Sequence, residues 1–155
     1  MNGKNNGRNG MIMPNIDYGP EPFITNINRD TINNQNFRTT LWTGEHLQLT
    51  LMSIPIGGEI GLEVHQDDDQ FLRIESGSGV VMMGPDEKRL NYRSNVLPGF
   101  AIFIPAGTWH NLINTGTRPI KLYSIYAPPA HPHGTIHTTK EESDKAHEQE
   151  ERADG

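Results

Sequence analysis

The chain contains no cysteine. Disulfides, thiolate metal sites and a cysteine nucleophile are therefore excluded together. No apolar run approaches the ~20 residues that a membrane span needs. No cluster of Lys and Arg occurs, and 13 basic against 19 acidic residues leave a formal net charge of −6. Binding to a phosphate backbone needs a basic face, so this balance argues against non-specific nucleic-acid binding. The opening MNGKNNGRNGMIM has no apolar stretch of the secretory kind. These absences lead to the expectation of a cytosolic protein that contacts neither nucleic acid nor membrane.

A convincing helical period is also missing from the middle of the chain, and the pattern there is β. The 155 residues fit one domain. Residues 1–13 are rich in Asn and Gly and are expected to be a disordered leader. Residues 14–137 form the folded unit, and 138–155 a charged tail that is either solvated or a frayed helix. Leu47, Leu49 and Leu51 alternate with polar residues at period two, and Pro55 and Gly57-Gly58 end that run. Further short apolar runs follow at Phe71–Ile74, Val80–Met83, Ala101–Ile104, His110–Ile113 and Ile120–Tyr126, each closed by Gly, Pro or Asn. Many short strands with close turn signals read as an all-β sandwich or barrel, its middle filled by Val, Ile, Phe and Leu.

Few residues on this scaffold carry chemistry. Glu63 and His65 are two apart, so on a strand they share a face. Gln70 follows an acidic turn, Asp67–Asp69, and can return on the same side; the three aspartates themselves read as solvated. Arg73 then points outward, to the surface or a subunit interface. His110 follows a Pro-x-Gly turn and can aim into a barrel mouth. Two imidazoles and a carboxylate make the ligand set of a 2-His-1-carboxylate site, with Gln70 as a weak neutral oxygen donor. The same residues also fit hydrogen-bonded barrel histidines without a metal. His131, His133 and His137 lie beyond the last core strand, where they either reach over the mouth as acid/base groups or belong to a surface loop. Lys121 and Arg93 are the only strand-borne cations this reading finds, and neither sits in a motif.

The spacing resembles the cupin superfamily. Gly57, Glu63-Val64-His65, Gln70 and Gly77 stand at the intervals of the first cupin motif, and Gly99, Pro105, Gly107, His110 and Asn114 at those of the second. The resemblance covers about residues 40–128 and implies a single-domain jelly-roll barrel, the double-stranded β-helix. It carries metal-ligand roles to His65 and His110 directly, and to Glu63 and Gln70 by position only. Cupins usually present three His and one Glu; here Glu63 replaces the first His and Gln70 replaces the Glu, which keeps one carboxylate. That set favours harder divalent ions, Mn or Fe over Cu, with Zn and Ni also accommodated. LWTGEHLQLTLMSI and KLYSIYAPPAHPHGTIH look like a branch of small bacterial cupins described as mannose-6-phosphate-isomerase-like. The resemblance thus implies a metal-binding protein acting on or binding a small polar metabolite such as a sugar or sugar phosphate, with Glu63, His131 and His133 as candidate catalytic groups. An Fe-dependent dioxygenase and a non-catalytic binding or structural cupin are the alternatives. It also implies a homodimer paired through an edge strand and an N-terminal arm, with Phe23 to Asn28 as the candidate arm.

Overall fold

A computed structural model describes residues 16–154 of the chain. The expected leader, residues 1–13, lies outside the described residues. A short helix α1 (Ile27–Asn33) precedes the strands β1 (Arg38–Thr43), β2 (Gln48–Ile54), β3 (Asp69–Ser76) and β4 (Gly79–Gly84). Then come β5 (Tyr92–Val96), β6 (Ala101–Ile104), β7 (Trp109–Asn114), β8 (Ile120–Ala127), β9 (Ile136–His137) and the helix α2 (Lys140–Asp154).

The strands form two antiparallel sheets. One has six strands in the order β6-β3-β8-β2-β1-β9 and the other three, β5-β4-β7. Residues 59–63 run beside β7 through the bridges Glu59↔Ile113 and Glu63↔His110, which widens the smaller sheet. Met52, Ile54, Leu72, Ile74, Val81 and Leu112 belong to one buried cluster drawn from both sheets. This is the single-domain jelly roll that the cupin resemblance implied.

The leucine face of β2 is not the inner one. Gln48, Thr50, Met52 and Ile54 are buried on the side shared with Tyr126, Ser124, Leu122 and Ile120 of β8. Leu49 and Leu51 belong to a second cluster with Leu41 and Tyr123, packed against Tyr18, Phe23 and Ile27. Periodicity shows that a strand alternates, but not which face is enclosed. Here the inner face is apolar at one end, Met52 and Ile54, and polar at the other, Gln48 and Thr50. That polar end positions the site.

Phe23 to Asn28, which the resemblance implied as a dimerisation arm, leads into α1. Within this chain Phe23 and Ile27 cover the chain's own six-stranded sheet. The charged tail forms a 15-residue helix, α2. Its start is a capping arrangement: Glu142 N donates to Thr139 Oγ1 at 3.2 Å, and Thr138 N to the Glu142 carboxylate at 2.7 Å. Pairs at i,i+4, Lys140–Asp144 at 2.7 Å and Glu141–Lys145 at 3.3 Å, support a helix with few apolar residues.

Candidate metal centre

Glu63 reaches its place through backbone pairing. Its N–H donates to the His110 carbonyl at 3.0 Å, and the His110 N–H donates to the Glu63 carbonyl at 2.9 Å. Residues paired in this way put their side chains on one face. Just before it, Gly61 takes φ +103°, a left-handed value that favours glycine, and its N–H donates to Asn111 Oδ1 at 2.9 Å. That irregularity interrupts strand alternation, so Glu63 sits in an isolated bridge and His65 in the following loop, not on one continuous strand. His65 is held by its carbonyl, which accepts from Gly107 N at 2.8 Å, and by its ring, whose centroid lies 5.3 Å from that of Tyr126.

The three side chains converge. Glu63 Oε1 lies 3.2 Å from His110 Nε2 and 3.4 Å from His65 Nε2. The three candidate ligand atoms all fall within 4.8 Å of one another. With metal–ligand bonds of about 2.1 Å, neighbouring donors in a coordination shell stand about 3–3.5 Å apart, so the spacing fits a shared ion. The hydrogen bonding of His110 strengthens the fit. Its Nδ1–H donates to the Thr108 carbonyl at 2.9 Å, which leaves Nε2, with its lone pair, turned towards the carboxylate. Two acceptors face to face need a cation between them, either a proton or a metal ion. Burial alone would raise the Glu63 pKa, but the His110 and His65 imidazoles beside it outweigh that and hold the carboxyl well below the usual range. The donor set is therefore one carboxylate and two imidazoles.

Gln70 is buried on the inner face of β3, opposite Tyr126 of β8. Its Nε2 donates to Ser124 Oγ at 2.9 Å, while its buried Oε1 has no partner. The Tyr126 ring makes T-shaped contacts with both His65 and His131, at 5.3 and 5.2 Å between centroids. Burial pushes the Tyr126 hydroxyl up to about 12, so it stays protonated. His131 lines the same cavity as Glu63 and His65, and its buried Nε2 has no partner. Burial and the nearby Arg38 hold its pKa far below the ordinary histidine value. His131 is thus a neutral hydrogen-bonding group, not one that titrates near neutrality.

The remaining candidates fall elsewhere or act differently. His133 Nε2 lies 2.7 Å from the Gly19 carbonyl and 3.4 Å from Asp17 Oδ1, and it does not line the cavity. Lys121 donates to the Asn34 carbonyl at 2.6 Å and Ser53 Oγ at 2.9 Å, and Arg93 to Met82 Sδ at 2.8 Å, so neither cation serves the site. Asp69 is not simply solvated: it accepts from Ala106 N at 2.9 Å and closes the turn. Arg73 is exposed beside Glu75, as an outward-facing residue should be. His137 does line the cavity, next to Arg38 of β1, which the sequence reading overlooked. Residues 37–41 are all buried, so this stretch has no alternation to mark it. The available signal was the β-branched and aromatic run FRTTLWT around a lone Arg.

The cavity has a volume of about 640 Å³. The barrel supplies Arg38, Glu63, His65, His131 and His137, and α2 supplies the opposite wall with Ser143 and His147. Among the described residues no helix is long and apolar enough to cross a membrane.

Residues 50–126 match the family model for the cupin domain. The chain is 63% identical over 124 residues to the uncharacterized protein YrkC of Bacillus subtilis (strain 168), covering 80% of this chain and 67% of that one. It is 38% identical over 122 residues to the uncharacterized protein L612 of Acanthamoeba polyphaga mimivirus, covering 78% of this chain and 74% of the relative. Among solved structures, that of BH2720 from Bacillus halodurans superposes with a TM-score of 0.83 at 57% identity, over 84% of this chain and 98% of the other.

Proposed function

Because the chain belongs to the cupin family, we propose that it is a cytoplasmic divalent-metal protein that binds and isomerises a small polar metabolite of the sugar or sugar-phosphate class. Glu63, His65 and His110 would hold the ion, with the unpartnered Oε1 of Gln70 as a fourth, weaker donor. The observation that carries this reading is the approach of the Glu63 carboxylate to within 3.2 Å of a His110 nitrogen whose ring is oriented from behind by the Thr108 carbonyl. When bound, the ion would act as a Lewis acid on a carbonyl or hydroxyl oxygen of the ligand. His65 and His110, their rings held by Tyr126 and by the Thr108 carbonyl, would fix where the ion sits. His131, neutral and on the same wall, offers its Nε2 to a ligand hydroxyl. Glu63, the carboxylate in this cluster, is the candidate to take a proton from carbon next to the carbonyl.

The test is solvent exchange. Protein supplied with Mn(II) is incubated with aldose and ketose phosphates in D2O and followed by NMR. Deuterium entering the carbon beside the carbonyl, abolished by chelator and by Glu63→Gln, is the expected result. A second reading, an Fe-dependent dioxygenase, draws on the same 2-His-1-carboxylate set. Consumption of O₂ with substrate, and no exchange, would replace the first reading with the second.

The proposal includes a homodimer. Its support is apolar exposure at the β6 edge of the larger sheet, where Phe103 is 70% and Leu97 51% exposed. Sedimentation at micromolar concentration should give a dimer that Phe103→Asp weakens; a wild-type monomer would refute it.

A further inference from the structure

Arg38 is a buried charge without a counter-ion. It is only 3% exposed. Its position on β1 sets it between Met52 of β2 and His137 of β9. Its Nη1 donates to His137 Nδ1 at 3.2 Å and to Ser143 Oγ of α2, and the Phe37 ring lies 5.4 Å from its guanidinium carbon. None of these partners is anionic: burial and Arg38 itself hold His137 in its neutral form. The buried Nε has no hydrogen-bond partner, and among the described residues no carboxylate forms an ion pair with Arg38. A buried guanidinium left in this state is strongly unfavourable for folding alone. The arrangement suits a ligand.

Arg38 lines the same cavity as Glu63, His65 and His131. The acidic groups on the α2 side of that cavity, Asp144, Glu150 and Glu151, are exposed at its rim. Away from that rim, Glu63 and the half-buried Glu59 are the carboxylates that line the cavity. A divalent ion there would leave the interior with net positive charge once Arg38 is counted.

We propose that Arg38 anchors the oxyanion end, carboxylate or phosphate, of a small ligand whose other end reaches the Glu63–His65–His110 cluster. The planar guanidinium suits such a group through paired N–H donors, with Nε free to supply one of them. Ser143 and His137 hold the fork through Nη1, and His131 Nε2 adds a neutral partner in the same cavity. The metal reading supplies only the ligand's second attachment, and the inference rests on it to that extent.

Titration calorimetry tests this on the full-length protein supplied with Mn(II), with metal content measured in the same samples. The probes are glycolate, its neutral amide glycolamide, and inorganic phosphate. Wild type should bind glycolate or phosphate saturably and glycolamide far more weakly. Which anion binds more tightly identifies the oxyanion as carboxylate or phosphate. Arg38→Met should weaken the anion by roughly tenfold or more at unchanged metal content, the loss expected for one charge-assisted pair. Arg38→Lys should recover part of it. Equal affinity in wild type and Arg38→Met, or no affinity of wild type for either anion, would overturn the inference. Anion binding that depends on Arg38 in protein that takes up no metal would uphold Arg38 and refute the metal reading instead.

Discussion

Glu63 and His110 are locked together twice, by reciprocal backbone hydrogen bonds of 3.0 and 2.9 Å and by a 3.2 Å approach of Oε1 to Nε2. The first contact enforces the second: a residue that pairs with His110 across the ladder must present its side chain to the same interior. The carboxylate is therefore placed by the sheet, while His65 is delivered by the loop that Gly107 ties down.

Replacing Glu63 by Gln should remove the anionic donor with little change in volume. Chelation should lower the melting temperature of metal-loaded wild type by about 5–10 °C, the shift for an ion held well above its Kd. The variant should melt at one temperature with or without chelator. Differential scanning calorimetry reads both.

Asn114 completes the second motif, but its work is structural. Its Nδ2 lies within hydrogen-bonding distance of the carbonyls of Ile54, Pro55 and Arg118 at 3.0–3.1 Å, and its Oδ1 accepts from Gly116 N at 2.9 Å. Asn114→Ala should destabilise the fold by about 2–4 kcal/mol, because several buried backbone groups lose their partner. Urea unfolding should register this, and metal stoichiometry in the folded fraction should not change.

Histidine 131 should make the protein acid-sensitive. The unfolded chain protonates it below about pH 6.5, whereas burial and Arg38 keep it neutral in the folded state. The unfolded state therefore binds more protons, and stability falls as pH drops below that value, by up to about 1.4 kcal/mol per pH unit. His131→Gln should flatten the slope of the urea midpoint between about pH 6.5 and pH 4.5. An unchanged slope would mean that His131 titrates freely in the folded protein.

Deleting residues 139–155 should leave the barrel folded, since α2 contributes nothing to either buried cluster. It should also remove the Ser143 contact to Arg38 and one wall of the cavity. Loss of metal to a chelator should then quicken roughly several-fold. An unchanged rate would show that α2 does not restrict access.

The site was more legible in the sequence than its surroundings, for physical reasons. Glu63, His65 and His110 stand at intervals set by turns at Gly57, Pro105 and Gly107, and turn residues leave a local signature. The inner face of β2 was not legible: Leu49 and Leu51 supply the stronger apolar signal, yet they pack outward under Phe23 and Ile27. Arg38 was hidden because residues 37–41 are buried on both faces of the strand, so it carries no polar alternation. Helix α2 carried a Thr-x-x-Glu cap in plain view at Thr139 and Glu142, but its charge density reads equally as a solvated tail. Its position over the cavity depends on contacts with Arg38, remote in sequence.

The most direct test of the central claim is elemental analysis of protein purified without a metal-affinity tag, beside a Glu63→Gln, His65→Gln double variant shown by circular dichroism to be folded. Near one equivalent of Mn, Fe, Zn or Ni per chain in wild type, lost in the variant, is the predicted result. Trace metal, present equally in both, would contradict it and leave the 3.2 Å contact between Glu63 and His110 as a proton-shared structural pair.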